Sequence, residues 1–599
     1  MDRQWLDTGA RRRRPPRRWT RLASLLVLLS LLLPTVGPAA SAQDAASGKV
    51  LRVDQGFFPL TLDPQKSGDL SAIAVSILDY EGLTRLDEKL QTIPGAAESW
   101  ETNPDGTVLT FHLRAGLTYA DGSPLTAERF RYAVERTCDP RTEAPYAVIL
   151  FDVVGCEEFF GSLAAAPAGT PAATPDTAAR AAYDAAKARL GVRAIDDRTL
   201  EIHLTNPAAY FPTIAYSWVF YPVKLEVVEP DPEGWWRDPA NRIGNGPFRV
   251  SAITQDRSIT FEANDHYWAG RPRLDGIAYV YRDQDAPFEE AAAAALAAYQ
   301  RGELDIMFPY PPQVEQIEAD PAMRGELLRY PAAATEILSF DLEQAPWQDK
   351  QVREAFAYGF DRQGYCEEVG GGCIPTRSWI PEGVPGHIET DAYAFDPEQA
   401  KQTLAASTYG GPEQLPEIRV LYSADDPAPP PPLQWVADRY RDVLGVEITF
   451  VPTTDEEFEA MEEAGAFPQL GFNAWIQDYP DPQNWLSIYW SCGSQLYAGK
   501  AGYCNPAFDD LVQRADAEAD PAQRLALYEE AGRLVVADAP AVFLDNPTNV
   551  VLVKPTVTGY ALTPSDLWPG APTSLLSIDV APAEATPAAA SPGAGTPIP

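Results

Sequence analysis

Sixteen residues hold the densest chemistry in the chain: Trp475-Ile476-Gln-Asp478-Tyr479-Pro-Asp481-Pro-Gln-Asn-Trp485-Leu-Ser-Ile-Tyr489-Trp490. Five aromatic residues and two carboxylates fall within this span. A carboxylate between aromatic walls suits an ammonium group, which pairs with Asp478 while ring faces supply cation–π attraction. Flat rings equally suit the faces of sugars, with Trp475, Trp485 and Trp490 as stacking surfaces. A third chemistry is an acid/base pair of Asp478 and Asp481, since glycoside hydrolysis uses two carboxyls about 5–9.5 Å apart. Spacing alone leaves a fourth reading open, a core aromatic cluster with an Asp capping a helix. Trp485 and Tyr489 are four apart and share a face of any helix they occupy, and Pro480 and Pro482 impose a turn before it.

Other chemistries lack their residues. The chain has no G-x-x-x-x-G-K-[ST] phosphate loop, no H-E-x-x-H and no G-x-S-x-G elbow. Gly244-Asn-Gly246 supplies two glycines of a dinucleotide loop, but Arg249 stands where the third belongs. His112, His203, His266 and His387 are scattered and the cysteine spacings are not C-x-x-C, so neither a metal site nor a cofactor is expected.

The elements that must position the cluster belong to a large body. The 599 residues include 85 Asp+Glu against 47 Lys+Arg, a net charge of −38. Residues 1–42 hold eight of the Arg and two of the Asp, so the remainder has 39 basic and 83 acidic residues, a charge of −44. That excludes a nucleic-acid partner, which needs clustered Lys and Arg, and docking on anionic lipid. Residues 1–42 read as a secretory signal peptide. Arg11 to Arg14, Arg17, Arg18 and Arg21 precede the apolar run Leu22 to Leu33, then come the breakers Pro34, Gly37 and Pro38 and the cleavage pattern Ala40-Ser41-Ala42. An uncleaved anchor is the alternative. Residues 1–137 contain no Cys, so no lipid-bearing cysteine follows the signal. An extracytoplasmic location fits six cysteines in close pairs, for which sequential bridging (Cys138–Cys156, Cys366–Cys373, Cys492–Cys504) closes the shortest loops.

Strands and helices alternate, which predicts an α/β body. Val108–Leu113 and Ser258–Glu262 alternate with period two, and Asn103-Pro-Asp-Gly106 is a turn. Thr126 is a candidate cap for a helix burying Phe130, Ala133, Val134 and Thr137. Val352, Ala355, Phe356, Gly359 and Phe360 form a second stripe. Asp520-Pro521 opens a third helix with Leu525, Tyr528 and Val535 inward, and Gly445 stops a fourth bearing Val436, Tyr440 and Leu444 before a strand at Val446–Val451. Residues 43–48 read as a linker, 164–177 as an Ala/Pro/Thr insertion and 581–599 as a disordered tail.

Several short segments in one order give the chain a family likeness. They are Thr61-Leu-Asp63-Pro64, Ile77-Leu-Asp-Tyr80-Glu81-Gly82-Leu83, Pro94-Gly-Ala-Ala-Glu98-Ser-Trp100, Phe111-His-Leu-Arg114, Asp121-Gly122-Ser-Pro-Leu-Thr126, Gly244-Asn-Gly246-Pro-Phe248, Asn264-Asp-His-Tyr267-Trp268, Gln351-Val-Arg353-Glu-Ala355-Phe356, Phe360-Asp361-Arg362, Trp475-Ile-Gln-Asp478-Tyr479 and Val553-Lys554-Pro555. Across about residues 49–580 the sequence resembles the extracytoplasmic solute-binding proteins of ATP-driven (ABC) importers, the large oligopeptide- and dipeptide-binding family. The resemblance implies a two-lobed periplasmic-binding-protein-like clamp. Lobe I is implied to take residues 49–80, 190–310 and 546–580, an inserted domain 81–189 and lobe II 311–545. It implies a monomer that captures a small peptide, or in some branches an oligosaccharide or another small solute, and delivers it to a membrane permease without catalysis. Within that likeness Asp478 pairs with the ligand's α-amino group and Trp475 and Ile476 line the cleft, with Tyr479, Trp485, Tyr489 and Trp490 beside them. Phe57, Phe58 and Leu62 are expected on the facing lobe, and Phe543 and Asp545 near the hinge. The runner-up function is an exported hydrolase using Asp478 and Asp481.

Overall fold

The computed structural model describes residues 48–163, 177–368, 372–424, 428–463, 468–494, 496–564 and 575–581. The expected leader 1–42 lies outside the described residues, as do 43–47 of the linker, 164–176 of the insertion and 582–599 of the tail. No helix among the described residues is long and apolar enough to cross a membrane.

A single 12-stranded mixed sheet runs through both halves of the molecule. In spatial order its path is Ile448–Thr453, Ile418–Ser423, Leu470–Ile476, Ala334–Phe340, Ala541–Val553, Ile306–Met307, Val50–Asp54, Gly276–Val280, Ser258–Ala263 and Phe248–Thr254. The 13-residue strand Ala541–Val553 is its centre. Its first residues pair with Ala334–Phe340 on one side, through a bulge at Glu336/Ile337. Its last residues pair with Ile306–Met307 on the other, and Cys373–Pro375 and Leu327–Pro331 attach along its middle and end. One strand thus belongs to both halves.

A separate four-stranded antiparallel sheet has the order Ala97–Thr102, Val108–Leu113, Thr199–His203, Val192–Asp196. Its last two strands follow residue 189, where the insert was expected to end, so this layer draws strands from both sides of that boundary.

Local chemistry explains the elements. Leu109, Phe111 and Leu113 alternate inward from one strand, and Ile259, Phe261 and Ala263 from another. The Asn103 side chain accepts from the backbone N–H groups of Thr107 (2.8 Å) and Val108 (3.0 Å), while Gly106 takes the left-handed φ of 73° that closes the turn. Phe130, Ala133, Val134 and Thr137 are buried along Ala127–Cys138, although Thr126 makes no side-chain cap bond. Asp520 caps Pro521–Asp538 by accepting from Ala522 N (3.0 Å) and Gln523 N (2.9 Å), and Gly445 ends Pro431–Leu444 at φ 72°. The strand expected at Val446–Val451 is Ile448–Thr453, shifted because Gly445 and Val446 complete the helix cap.

Gly244 and Gly246 serve packing. A methyl group on either would collide with the Asp79–Tyr80 backbone, and Gly246 N donates to Asp79 O at 2.9 Å. The fully buried Arg242 guanidinium beside them grips Asp79 with two hydrogen bonds of 2.9 and 2.8 Å. The six cysteines pair in sequence order as Cys138–Cys156, Cys366–Cys373 and Cys492–Cys504.

Candidate functional site

Trp475 and Ile476 end the strand Leu470–Ile476, and Asp478 lies in the loop that follows. Pro480 and Pro482 tighten that loop, and Asp481 N donates to Tyr479 O at 2.8 Å. Asp481 then caps the short helix Pro482–Trp485, accepting from Gln483 N at 2.9 Å. Its carboxylate is also gripped by both terminal nitrogens of Arg524, at 2.8 and 2.6 Å. Asp481 is a buried, fully engaged structural acid.

Asp478 is different. Its carboxylate is partly buried and, among the described residues, accepts from two neutral donors, the Asn484 amide (Nδ2 to Oδ2, 3.0 Å) and the Tyr146 hydroxyl. Among the described residues no Lys or Arg forms an ion pair with it. Burial pushes the carboxyl up to about 6, and the two hydrogen bonds only partly oppose that. The charge of Asp478 and burial together raise the Tyr146 phenol well above its usual range.

The site is assembled across the two halves of the fold. Tyr146 stacks edge-on against Trp218 (centroids 4.9 Å apart), and Tyr216 donates its hydroxyl to the Asp478 carbonyl. Tyr479 packs into the core built mainly from residues 51–281, and its hydroxyl reaches Gln483. The Arg524 guanidinium lies over the Tyr210 ring at 5.3 Å. Nearby, Tyr210 donates to Asp152 at 2.7 Å from one half, while Ser487 (2.8 Å) and Tyr528 donate to Asp516 from the other. Burial is the main cause that raises both carboxyls, Asp516 to about 7.

The other expected site residues are distributed as follows. Trp475 is partly buried, meets Tyr489 edge-on at 5.3 Å, and donates from Nε1 to Asn484 Oδ1 at 3.3 Å; Ile476 is partly buried beside it. Trp485, Tyr489 and Trp490 are buried with Trp379 in the core beneath the strand, where Trp379 Nε1 donates to Trp485 O at 2.6 Å. Their faces are spent on each other (Trp379–Tyr489 4.6 Å, Tyr489–Trp490 4.9 Å). Phe543 joins the same cluster. Phe57 is 48% exposed at the surface, Phe58 is buried edge-on to Tyr281 at 4.9 Å, and Leu62 is a core residue whose carbonyl accepts from Arg242. Asp545 is buried on the central strand, its Oδ2 without a hydrogen-bond partner, near the Cys366–Cys373 disulfide. Burial and the Glu336 charge raise its carboxyl far above the usual range.

Three site residues were invisible to sequence reading: Tyr146, Tyr216 and Asn484. Two come from distant segments and carry no local signal among 26 tyrosines. Asn484 lies six residues after Asp478, and the first turn created by Pro482 was the one available hint.

Residues 91–497 match the family model described as bacterial extracellular solute-binding proteins, family 5 Middle. The chain is 28% identical over 563 residues to the periplasmic murein peptide-binding protein MppA of Escherichia coli K12, covering 91% of this chain and 97% of that one. It is 29% identical over 551 residues to the probable deoxycholate-binding periplasmic protein YgiS of the same organism, covering 90% and 95%. Against the oligopeptide-binding protein OppA of Bacillus subtilis it is 25% identical over 543 residues, covering 88% and 93%. Among solved structures, the murein tripeptide binding protein MppA of Escherichia coli superposes with a TM-score of 0.69 at 26% identity, covering 89% of this chain and 99% of that one. OppA of Burkholderia pseudomallei superposes with a TM-score of 0.68 at 25% identity, covering 90% and 100%.

Proposed function

Because the chain belongs to the bacterial extracellular solute-binding proteins of family 5, we propose that it captures peptides in the cleft between its lobes and hands them to a membrane permease. The observation that carries this reading is Asp478, a partly buried carboxylate at the meeting of the two halves with hydrogen-bond donors but, among the described residues, no cation paired with it. A carboxylate in that position is completed by a ligand's ammonium group, whose own desolvation the pairing offsets. Tyr146 and Tyr216 approach Asp478 from the opposite half, so a ligand bound there bridges the lobes and favours their closed arrangement. The names of MppA and OppA, which describe binders of murein peptides and oligopeptides, support the same ligand class.

The two-lobed α/β fold has its shared strand at Ala541–Val553. The proposed division keeps lobe I at 49–80, 190–310 and 546–580, the inserted domain at 81–189 and lobe II at 311–545, the small antiparallel sheet joining two strands of the insert to two, Val192–Asp196 and Thr199–His203, of the lobe I segment that follows it. The protein acts outside the cytoplasm, delivered there by the signal at 1–42, and works as a monomer. Binding rather than hydrolysis is supported by Asp481, whose two oxygens are held by Arg524 and which is therefore not free to act as acid or base. The buried Trp485 and Trp490 offer no open ring faces in this conformation, which favours an amine ligand over an oligosaccharide.

The test is calorimetric titration of the mature protein with small peptides and their N-acetylated forms. Asp478→Ala should weaken amine-terminated peptides by about 2–5 kcal/mol, thirtyfold or more, and N-acetylation should do the same to the wild type. Equal affinity of wild type and Asp478→Ala for a free-amine peptide would refute the assignment.

A further inference from the structure

Asn484 has no exposed surface, yet all of its polar capacity on one side is spent on the ligand loop. Its Oδ1 accepts from the Asp478 backbone N–H at 3.0 Å and from Trp475 Nε1 at 3.3 Å. Its Nδ2 donates to Asp478 Oδ2 at 3.0 Å. One amide therefore fixes the main chain of Asp478, the rotamer of its carboxylate and the indole beside it. The amide is in turn held by its helix. Asp481 caps Pro482–Trp485, Arg524 clamps Asp481, and the same guanidinium rests on the Tyr210 ring of the facing half.

We infer that Asn484 is the positioning residue of the amine site, setting the direction of the Asp478 carboxylate and sustaining its charge through the Nδ2–H···Oδ2 bond. The inference rests on the reading of Asp478 as the amine anchor. A neutral amide suits this task better than a charged donor. Lys or Arg at the same place would neutralise Asp478 and compete with the ligand, whereas an amide orients the carboxylate and leaves its charge unmatched. The groups that face Asp478 are the Tyr146 and Tyr216 phenols from one half and Tyr479 and Asn484 from its own, with the Asp69 charge near Tyr146. Among the described residues, only Asn484 both donates to the carboxylate and accepts from its backbone N–H.

A purely structural asparagine would change affinity equally at every pH. A residue that sustains the charge moves the pH at which affinity fails. The probe is Ala-Ala-Ala beside N-acetyl-Ala-Ala-Ala, titrated by calorimetry from pH 5 to 8.5 into wild type, Asn484→Ala, Asn484→Leu and Asp478→Asn. Asn484→Leu fills nearly the same volume with neither a donor nor a charge, so it reports on the lost donor even where the alanine variant folds poorly. The wild type should bind the free amine best near pH 7 and lose affinity tenfold per unit below about pH 6; above about pH 8 the α-amino group of the peptide itself loses its proton, which weakens every variant alike. In both Asn484 variants the break should move up by about one unit or more, a loss of about fivefold at pH 6 beyond that at pH 8.5. If the wild type prefers the free amine but both variants keep its pH break, this inference is overturned while the anchor stands. If the wild type binds the two peptides alike, binds neither, or is matched by Asp478→Asn, the anchor falls and this inference with it.

Discussion

Asp516→Asn isolates one carboxyl at the meeting of the two halves. Asp516 ends the helix Pro506–Ala517 and accepts from Ser487 and Tyr528, while Asp152 across the interface raises its carboxyl and Arg524 lowers it. Burial is the largest cause, and the carboxyl stands at about 7 against 3.8 for a free Asp. An acid raised in the fold keeps its proton in the native state after the unfolded chain has released it. Its contribution is therefore fully present below about pH 4 and is lost as pH rises through about 7. Three units at about 1.4 kcal/mol each give about 4 kcal/mol as the upper bound, and partial exposure reduces it to about 2–4 kcal/mol. Asparagine keeps an oxygen for Ser487 and Tyr528 and does not ionise. The variant should therefore match or fall slightly below the wild type at pH 4 and exceed it at pH 8. Urea unfolding followed by circular dichroism at half-unit steps would give both curves. Parallel wild-type and variant curves across pH 4–8 would refute the reasoning, because they would mean that Asp516 titrates alike in folded and unfolded chains.

Three further perturbations follow from the packing. Arg242→Ala strips the buried Asp79 carboxyl, which burial already pushes up to about 6, of its cation and two hydrogen bonds, and the urea midpoint should drop by the equivalent of about 3–5 kcal/mol. Gly244→Ala places a methyl group against the Asp79 carbonyl, a backbone atom that cannot swing aside; it should cost about 1–3 kcal/mol, read as lost soluble yield and a lower thermal midpoint. Replacing Cys492 and Cys504 together by serine frees a short loop beside the aromatic core, and about 3 kcal/mol of unfolding free energy should be lost in calorimetry.

Much of the fold was legible because its signals are local. The alternation of Leu109, Phe111 and Leu113 needs only the two-residue period of a strand, and Asp520-Pro521 and Gly445 mark helix ends by their own backbone preferences. The sheet order was not legible. Nothing within Ala541–Val553 says that its two ends pair with different partners, since registers are set by residues two hundred positions away. The site divides the same way. Asp478 is found from its motif, whereas Tyr146 and Tyr216 become its neighbours only when the halves meet. The aromatic run shows the limit most directly. Spacing put Trp485, Tyr489 and Trp490 beside the ligand loop, but which rings line a cleft and which fill the core beneath it is decided by Trp379, more than a hundred residues earlier.

The shared strand has a consequence for the order of assembly. Ala541–Val553 is the middle of the 12-stranded sheet and one of the last strands to be synthesised. Until it emerges, Ala334–Phe340 and Val50–Asp54 belong to two incomplete sheets with open inner edges, and neither lobe is finished. Because this strand lies near the C-terminus, the topology delays the last pairing until almost the whole chain is available. Truncation just before Ala541 should therefore yield two exposed sheet edges rather than one folded lobe and one lost one, and such edges attract proteases and partner strands.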